Sequence, residues 1–223
     1  MRKFLYAAIT FVVVVAGAAI YLYSSLDGIV RNVIVDSGSK ATGGQVSVGT
    51  VSLSLSQGKG TLTDVMIGNP PGFSTNPAVK VGRIDLVIDS ATIGANPVVV
   101  KDVVVDGPAI LNELGPGGDN LDVLRRHAQS SADTARGTPS NSQGRKLVIE
   151  RLLVTHGTLT VSVAGQPAAH ANLGDVELHD VGRSTNGATE AEVAAQVLAA
   201  LADQVKSQAP PGMADALKGL LNR

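Results

Sequence analysis

The chain has 223 residues, 44% of them apolar, a formal charge of −1 and no cysteine. That profile excludes wholesale disorder, disulfides, Cys-ligated zinc and thiol catalysis, and the length fits one domain plus an anchor. Five of the six aromatic residues (Phe4, Tyr6, Phe11, Tyr21 and Tyr23) fall in the first 23 positions, leaving Phe73 alone. With no basic stripe either, the composition argues against a nucleic-acid partner, which needs stacking faces and cations.

Residues 4–23 carry no charge. At about 1.5 Å rise per residue they match the ~30 Å apolar thickness of a bilayer. Arg2 and Lys3 precede them, so the positive-inside rule predicts a cytoplasmic N-terminus and a domain across the membrane. The rival reading is a cleaved signal peptide, with Ala16-Gly17-Ala18 as the small-residue run. The apolar stretch continues through Leu22, which favours an uncleaved anchor; both readings export the domain.

Residues 24–39 read as a helix, with Leu26, Ile29, Val30, Val33 and Ile34 at three and four spacing and Gly38 as the stop. From Gln45 the period becomes two. Val46, Val48, Val51, Leu53 and Leu55 define a strand, residues 57–60 a turn, and residues 61–67 the returning strand of a hairpin. A rigid loop follows at 69–73. Val79, Val81, Ile84, Leu86 and Ile88 form the next strand, with a slip near Gly82 that predicts a bulge. Further strands are expected at 97–105 and 109–113, a short helix at 120–129, a polar linker at 130–145, and strands at 146–154, 158–163 and 168–181. Thr189 with Glu192 makes a capping box for an Ala-rich helix ended by Pro210-Pro211, before a short last helix around Met213, Leu217, Leu220 and Leu221. There is an internal echo. Residues 98–110 (VVVKDVVVDGPAI) match the pattern of residues 147–159 (LVIERLLVTHGTL), as repeated strand units do.

The ordered set SGSKATGGQVSVGTVSLSLSQGKGTLTDVMIGNPPGF (37–73), AVKVGRIDLVID, VVVKDVVVDGPAI and GGDNLDVL resembles the N-terminal region of AsmA-family proteins, well over residues 1–125 and more loosely over 146–182. The resemblance implies a bacterial inner-membrane protein with its β domain in the periplasm, and a curled sheet whose apolar trough takes lipid acyl chains. It also implies a part in envelope lipid handling or outer-membrane biogenesis. The chain is much shorter than the large members, so partners, an oligomer or action at a membrane surface would be needed to bridge an envelope.

Other patterns point to less. Asp36-Ser37-Gly38 matches the aspartic-protease pattern, but no second such aspartate exists to share the proton. Gly58-Lys59-Gly60-Thr61 lacks the spacing and helix of a phosphate loop. His127, His156, His170 and His179 show no ligand spacing, and no Gly-x-Ser-x-Gly elbow is present.

The expected fold is therefore mainly β: a transmembrane helix (1–23), a helical connector (24–44), a curled, antiparallel-rich sheet with an open groove (45–182) and C-terminal helices (183–223). The expected function is acyl-chain binding without catalysis, cofactor or metal. The groove candidates are Val46, Val48, Val51, Leu53, Leu55, Val79, Val81, Ile84, Leu86 and Ile88. The stated partners are a membrane, phospholipid and other envelope proteins. Alternation alone leaves open whether these side chains line a trough or an ordinary core with the sheet packed on the C-terminal helix, and a scaffold binding another envelope protein through its sheet edge or that helix is the alternative.

Overall fold

Two-residue alternation runs through most of the chain, and it builds one sheet of eleven strands in the computed structural model, which describes residues 27–54, 56–115, 118–137, 146–163 and 169–208. The strands are β1 (Val46–Ser47), β2 (Thr50–Ser54), β3 (Lys59–Gly68), β4 (Pro77–Ile88), β5 (Val98–Asp106), β6 (Ala109–Gly115), β7 (Gly118–Asp119), β8 (Leu147–Thr155), β9 (Thr158–Val163), β10 (Ala169–Asn172) and β11 (Val176–Val181). Three helices accompany them: α1 (27–42), α2 (Asn120–Gly137) and α3 (Glu190–Gln208).

The strands are halves of longer bent strands. β4 pairs with β5 through Arg83↔Asp106 and with β6 through Lys80↔Ala109, so β5 and β6 are two arms of one strand bent at Gly107-Pro108. The same holds for β1–β2, for β3 and β4 within themselves, for β8–β9 and for β10–β11. Six bent rungs result. The first four run antiparallel, the fourth and fifth pair in parallel, and the sixth returns antiparallel. The parallel pair is the sequence echo made physical: Val98 faces Leu147 and Ala109 faces Thr158, in both arms. A parallel pair needs a crossover, and α2 supplies it.

The bends fall on one line. The flanking registers place Gly49 opposite Asp64, Asp64 opposite Gly82, Gly82 opposite Gly107, Gly107 beside His156 and His156 opposite Gly174. Asp64, Gly107 and His156 have φ of 51°, 62° and 54°. This left-handed region is one that glycine enters freely and that Asp and His tolerate better than branched residues. The slip read near Gly82 is this crease, crossing the whole sheet, and not the expected bulge: the β3–β4 register is the same on both sides of Gly82, and the register shifts of β4 with its neighbours fall at Ile67/Gly68 and Val87/Ile88.

Each arm is amphipathic, because opposed residues share a face. One arm carries the row Val46–Ile67–Val79–Ile110–Leu159–Ala171, the other Val51–Leu62–Ile84–Val105–Val154–Val176. On the opposite face the row Thr50–Thr63–Arg83–Asp106–Thr155 is polar. The helices cover the apolar, inner face. α1 lays Val30, Ile34 and Val35 on Val46, Val48, Val51 and Leu62. α2 contributes Leu121, Leu124 and Ala128, and α3 Ala195, Leu198, Leu201 and Val205, to the main core.

Three expectations change. The fold is mixed α/β rather than mainly β, and its groove is not an open trough, since three helices pack on the apolar face. Residues 130–137 belong to α2, not to a linker; Ala128 and Ala132 are fully buried there, small enough for close helix packing but too weakly apolar to mark a periodic stripe. Finally, no helix among the described residues is long and apolar enough to cross a membrane. α1 carries Asp27, Arg31, Asp36 and Lys40. The expected anchor at residues 4–23 lies outside the described residues, so the single-pass, inner-membrane and periplasmic assignment has no counterpart in any described helix and is set aside. The last predicted helix, near residues 213–221, also lies outside them.

Candidate functional site

Where the two arms meet at the crease, the helices do not fill the angle. A cavity of about 160 Å³ remains between the sheet and α3. Val65 and Ile67 of β3, Val79, Val81 and Ile84 of β4, Val105 of β5, Pro108 at the β5–β6 bend and Val154 of β8 form its floor. Ala194, Val197, Leu198 and Leu201 of α3 form its roof, and Thr42 closes the α1 side. The Thr42 hydroxyl donates to Gly38 O at 2.8 Å, so it is already engaged. No lining side chain carries a charge. An apolar cavity of about this volume accepts a benzene-sized guest.

The aliphatic surface does not stop at the void. Ile84 lines it, and Leu86 and Ile88 follow at two-residue steps on the same face, both half-buried, with Leu53 half-buried two rungs away. Four residues of strand from Ile84 to Ile88 span about 13 Å. Val193 and Val197 of α3 are also half-buried.

The ten groove candidates thus divide. Val79, Val81 and Ile84 line the cavity. Leu86, Ile88 and Leu53 extend the surface beside it. Val46, Val48 and Val51 are sealed under α1 as ordinary core. Leu55 lies outside the described residues. Sequence reasoning did not place Val65, Ile67, Val105 or Val154 at the site, and it had the C-terminal helix over the sheet only in the ordinary-core alternative, without Ala194 or Leu198. Val65, Ile67, Val105 and Val154 stood in recognised strands, but only the register shows that they meet.

Polar groups hold this arrangement from outside the cavity. β4 begins at Pro77, which has no N–H to continue the ladder. Beyond it the Asn120 side chain takes the place of the missing backbone. Its Oδ1 accepts from Glu113 N at 2.8 Å, and its Nδ2 donates to Leu111 O at 2.8 Å and to Asn69 Oδ1 at 2.6 Å. Asn120 is fully buried. Asn69 donates in turn to Glu113 Oε2 at 2.8 Å, which also accepts from Ser74 N. The loop at 69–76 and the start of α2 are therefore one unit. At the free edge of the first rung, Arg31 of α1 donates to Val48 O and Asp27 accepts from Leu53 N at 3.2 Å.

Several titratable groups of the strands sit on the outer face, while His127 of α2 lies against Gly43 beyond the end of α1. A 2.7 Å contact joins His156 Nδ1 to Asp106 Oδ1 at the crease. That hydrogen bond lowers the Asp106 carboxyl and raises the His156 imidazole relative to their ordinary values. Arg83 likewise lowers Asp85 through a paired hydrogen bond. His170 faces Thr160 and His179 faces Arg151, on different arms. Among the described residues no group of three or more His, Cys, Asp or Glu could hold a metal. Asp36, Ser37 and Gly38 lie inside α1, so the protease pattern has no hairpin around it, and Gly58 to Thr61 form a turn into β3. The capping box is present: Thr189 N donates to Glu192 Oε2 at 2.9 Å and Glu192 N to Thr189 Oγ1 at 3.3 Å. No protein-family model matches the chain, and no curated protein is similar to it in sequence.

Proposed function

We propose that this chain is a non-catalytic carrier of acyl chains, built on the AsmA-like plan its sequence resembles, with one aliphatic tail lodged against the inner face of the creased sheet. The supporting observation is the cavity of about 160 Å³, roofed by α3 and lined by aliphatic side chains. At the roughly 30 Å³ a water-sized group occupies, it takes about five methylenes. The half-buried row from Ile84 to Ile88 adds about 13 Å of aliphatic surface. A tail of about 15 Å, half of a bilayer's ~30 Å apolar core, matches that length. Each methylene removed from water contributes about 0.8 kcal/mol, and flexible aliphatic walls suit a chain without fixed shape.

The alternative, a scaffold that adds a partner strand at the sheet edge, has less to favour it. Asp180 interrupts β11 with φ of 53°, and Glu177, His179 and the Arg183–Asp180 ion pair decorate that edge, as edges protected against pairing do.

The test is native mass spectrometry of the full chain, followed by titration of the delipidated protein with a fluorescent fatty acid. Co-purified lipid, or one probe molecule per chain displaced by phospholipid, is expected. A chain that is lipid-free as isolated and also fails to bind the probe overturns the reading.

A further inference from the structure

α3 is held to the sheet unevenly. Its N-terminal end is fastened. Leu147 and Ala188 exchange two backbone hydrogen bonds of 2.8 Å each, and the Thr189 box follows at once. The connection before it is tightly seated: a Cβ on Gly182 would lie 2.5 Å from Ala188 N, and one on Gly187 would lie 2.6 Å from Lys146 Cβ. The middle of α3 spans the cavity, so Val197 and Leu198 forfeit part of the contact a filled core would give them. At the far end, Gln204 rests on Gly174, the crease residue of the sixth rung, where a Cβ would meet its Nε2 at 2.5 Å. Along its length α3 packs more extensively on α2 than on any strand.

We infer that α3 is a lid over the cavity, pivoting at Ala188-Thr189 and lifting its Gln204 end from Gly174 to admit a chain. Opening in this sense leaves the two backbone hydrogen bonds to Leu147 intact; it parts Gln204 from Gly174 and draws the buried Leu201, Ala202 and Val205 away from the core, so it exchanges apolar contact alone, which an entering chain restores. The opposite sense would break the clamp and the capping box together. The inference rests on the acyl-chain reading of the same cavity.

The chain has no cysteine, so a designed pair is the only thiol pair present. In the full chain, G174C with Q204C removes the crowding amide and places two thiols across the lid's free end. Bridged by an oxidised disulfide or by a short bifunctional thiol-alkylating reagent, this variant should take up a fluorescent fatty acid at least about tenfold more slowly than its reduced form. Equal uptake by the bridged and reduced forms overturns the lid and leaves the carrier reading standing. Failure of the unmodified chain to bind the probe at all overturns both. Hydrogen exchange gives a second readout that needs no variant. In the free protein, amides of residues 198–208 should exchange faster than those at Leu147 and Ala188, and the probe should slow them; uniform protection along α3 overturns the pivot.

Discussion

Ala194→Leu puts three carbons into the void from the roof, and it should make the protein more stable while it binds less. At roughly 30 Å³ for each added carbon, the new side chain takes about 90 Å³ of the roughly 160 Å³ present. Burial of three methylene-sized groups contributes about 2.4 kcal/mol at most. Leucine's lost rotamers cost about 0.5–1 kcal/mol, and its helix propensity is only slightly below alanine's. A net gain of about 1–1.5 kcal/mol remains. Urea denaturation reads it as a higher midpoint at unchanged slope. In parallel, fluorescent fatty acid affinity should fall, because less than half of the room is left. A loss of about 1–3 kcal/mol, the usual result of overpacking, would show that the space is already filled. A stability gain with undiminished affinity would show that the chain binds elsewhere.

Asn120→Ala leaves Glu113 N, Leu111 O and Asn69 Oδ1 without their partner. A loss of about 2–4 kcal/mol is expected in equilibrium unfolding, and one under about 1 kcal/mol would refute the idea that this side chain replaces a strand. Two crease glycines separate backbone from packing effects, since an added Cβ has open space at both. Gly107, at φ of 62°, should lose about 1–2 kcal/mol as alanine. Gly82, outside the left-handed region, should stay within about 0.5 kcal/mol. Equal losses in side-by-side melts would remove the conformational account of the bend.

Period two was legible because Val, Leu and Ile alternate with Ser, Thr and Asp over most strands, and the register confirms that the apolar set shares one face. The echo between residues 98–110 and 147–159 was legible too, and it turns out to be two stacked rungs. What was not legible is what lies over that face. Alternation specifies which side chains point inward, not which helix meets them, so Val48 under α1 and Val81 beside the cavity look alike in sequence. The end of α2 was hidden for a related reason: Ser130, Ser131 and Thr134 read as loop, while the two buried alanines give almost no hydrophobic signal. The slip at Gly82 was seen but taken as local, because its five companions on the line are far apart in the chain.

The shared crease makes this sheet unusually intolerant of small insertions. In a flat sheet, a one-residue slip turns inward side chains outward, and a compensating slip further on can restore them. Here the same slip also carries the bend off the common line, so neighbouring strands would have to turn at different heights. A two-residue slip restores the faces but not the corner. Variation in length is therefore confined to the connections between rungs, or must come as whole additional rungs with a corner residue of their own.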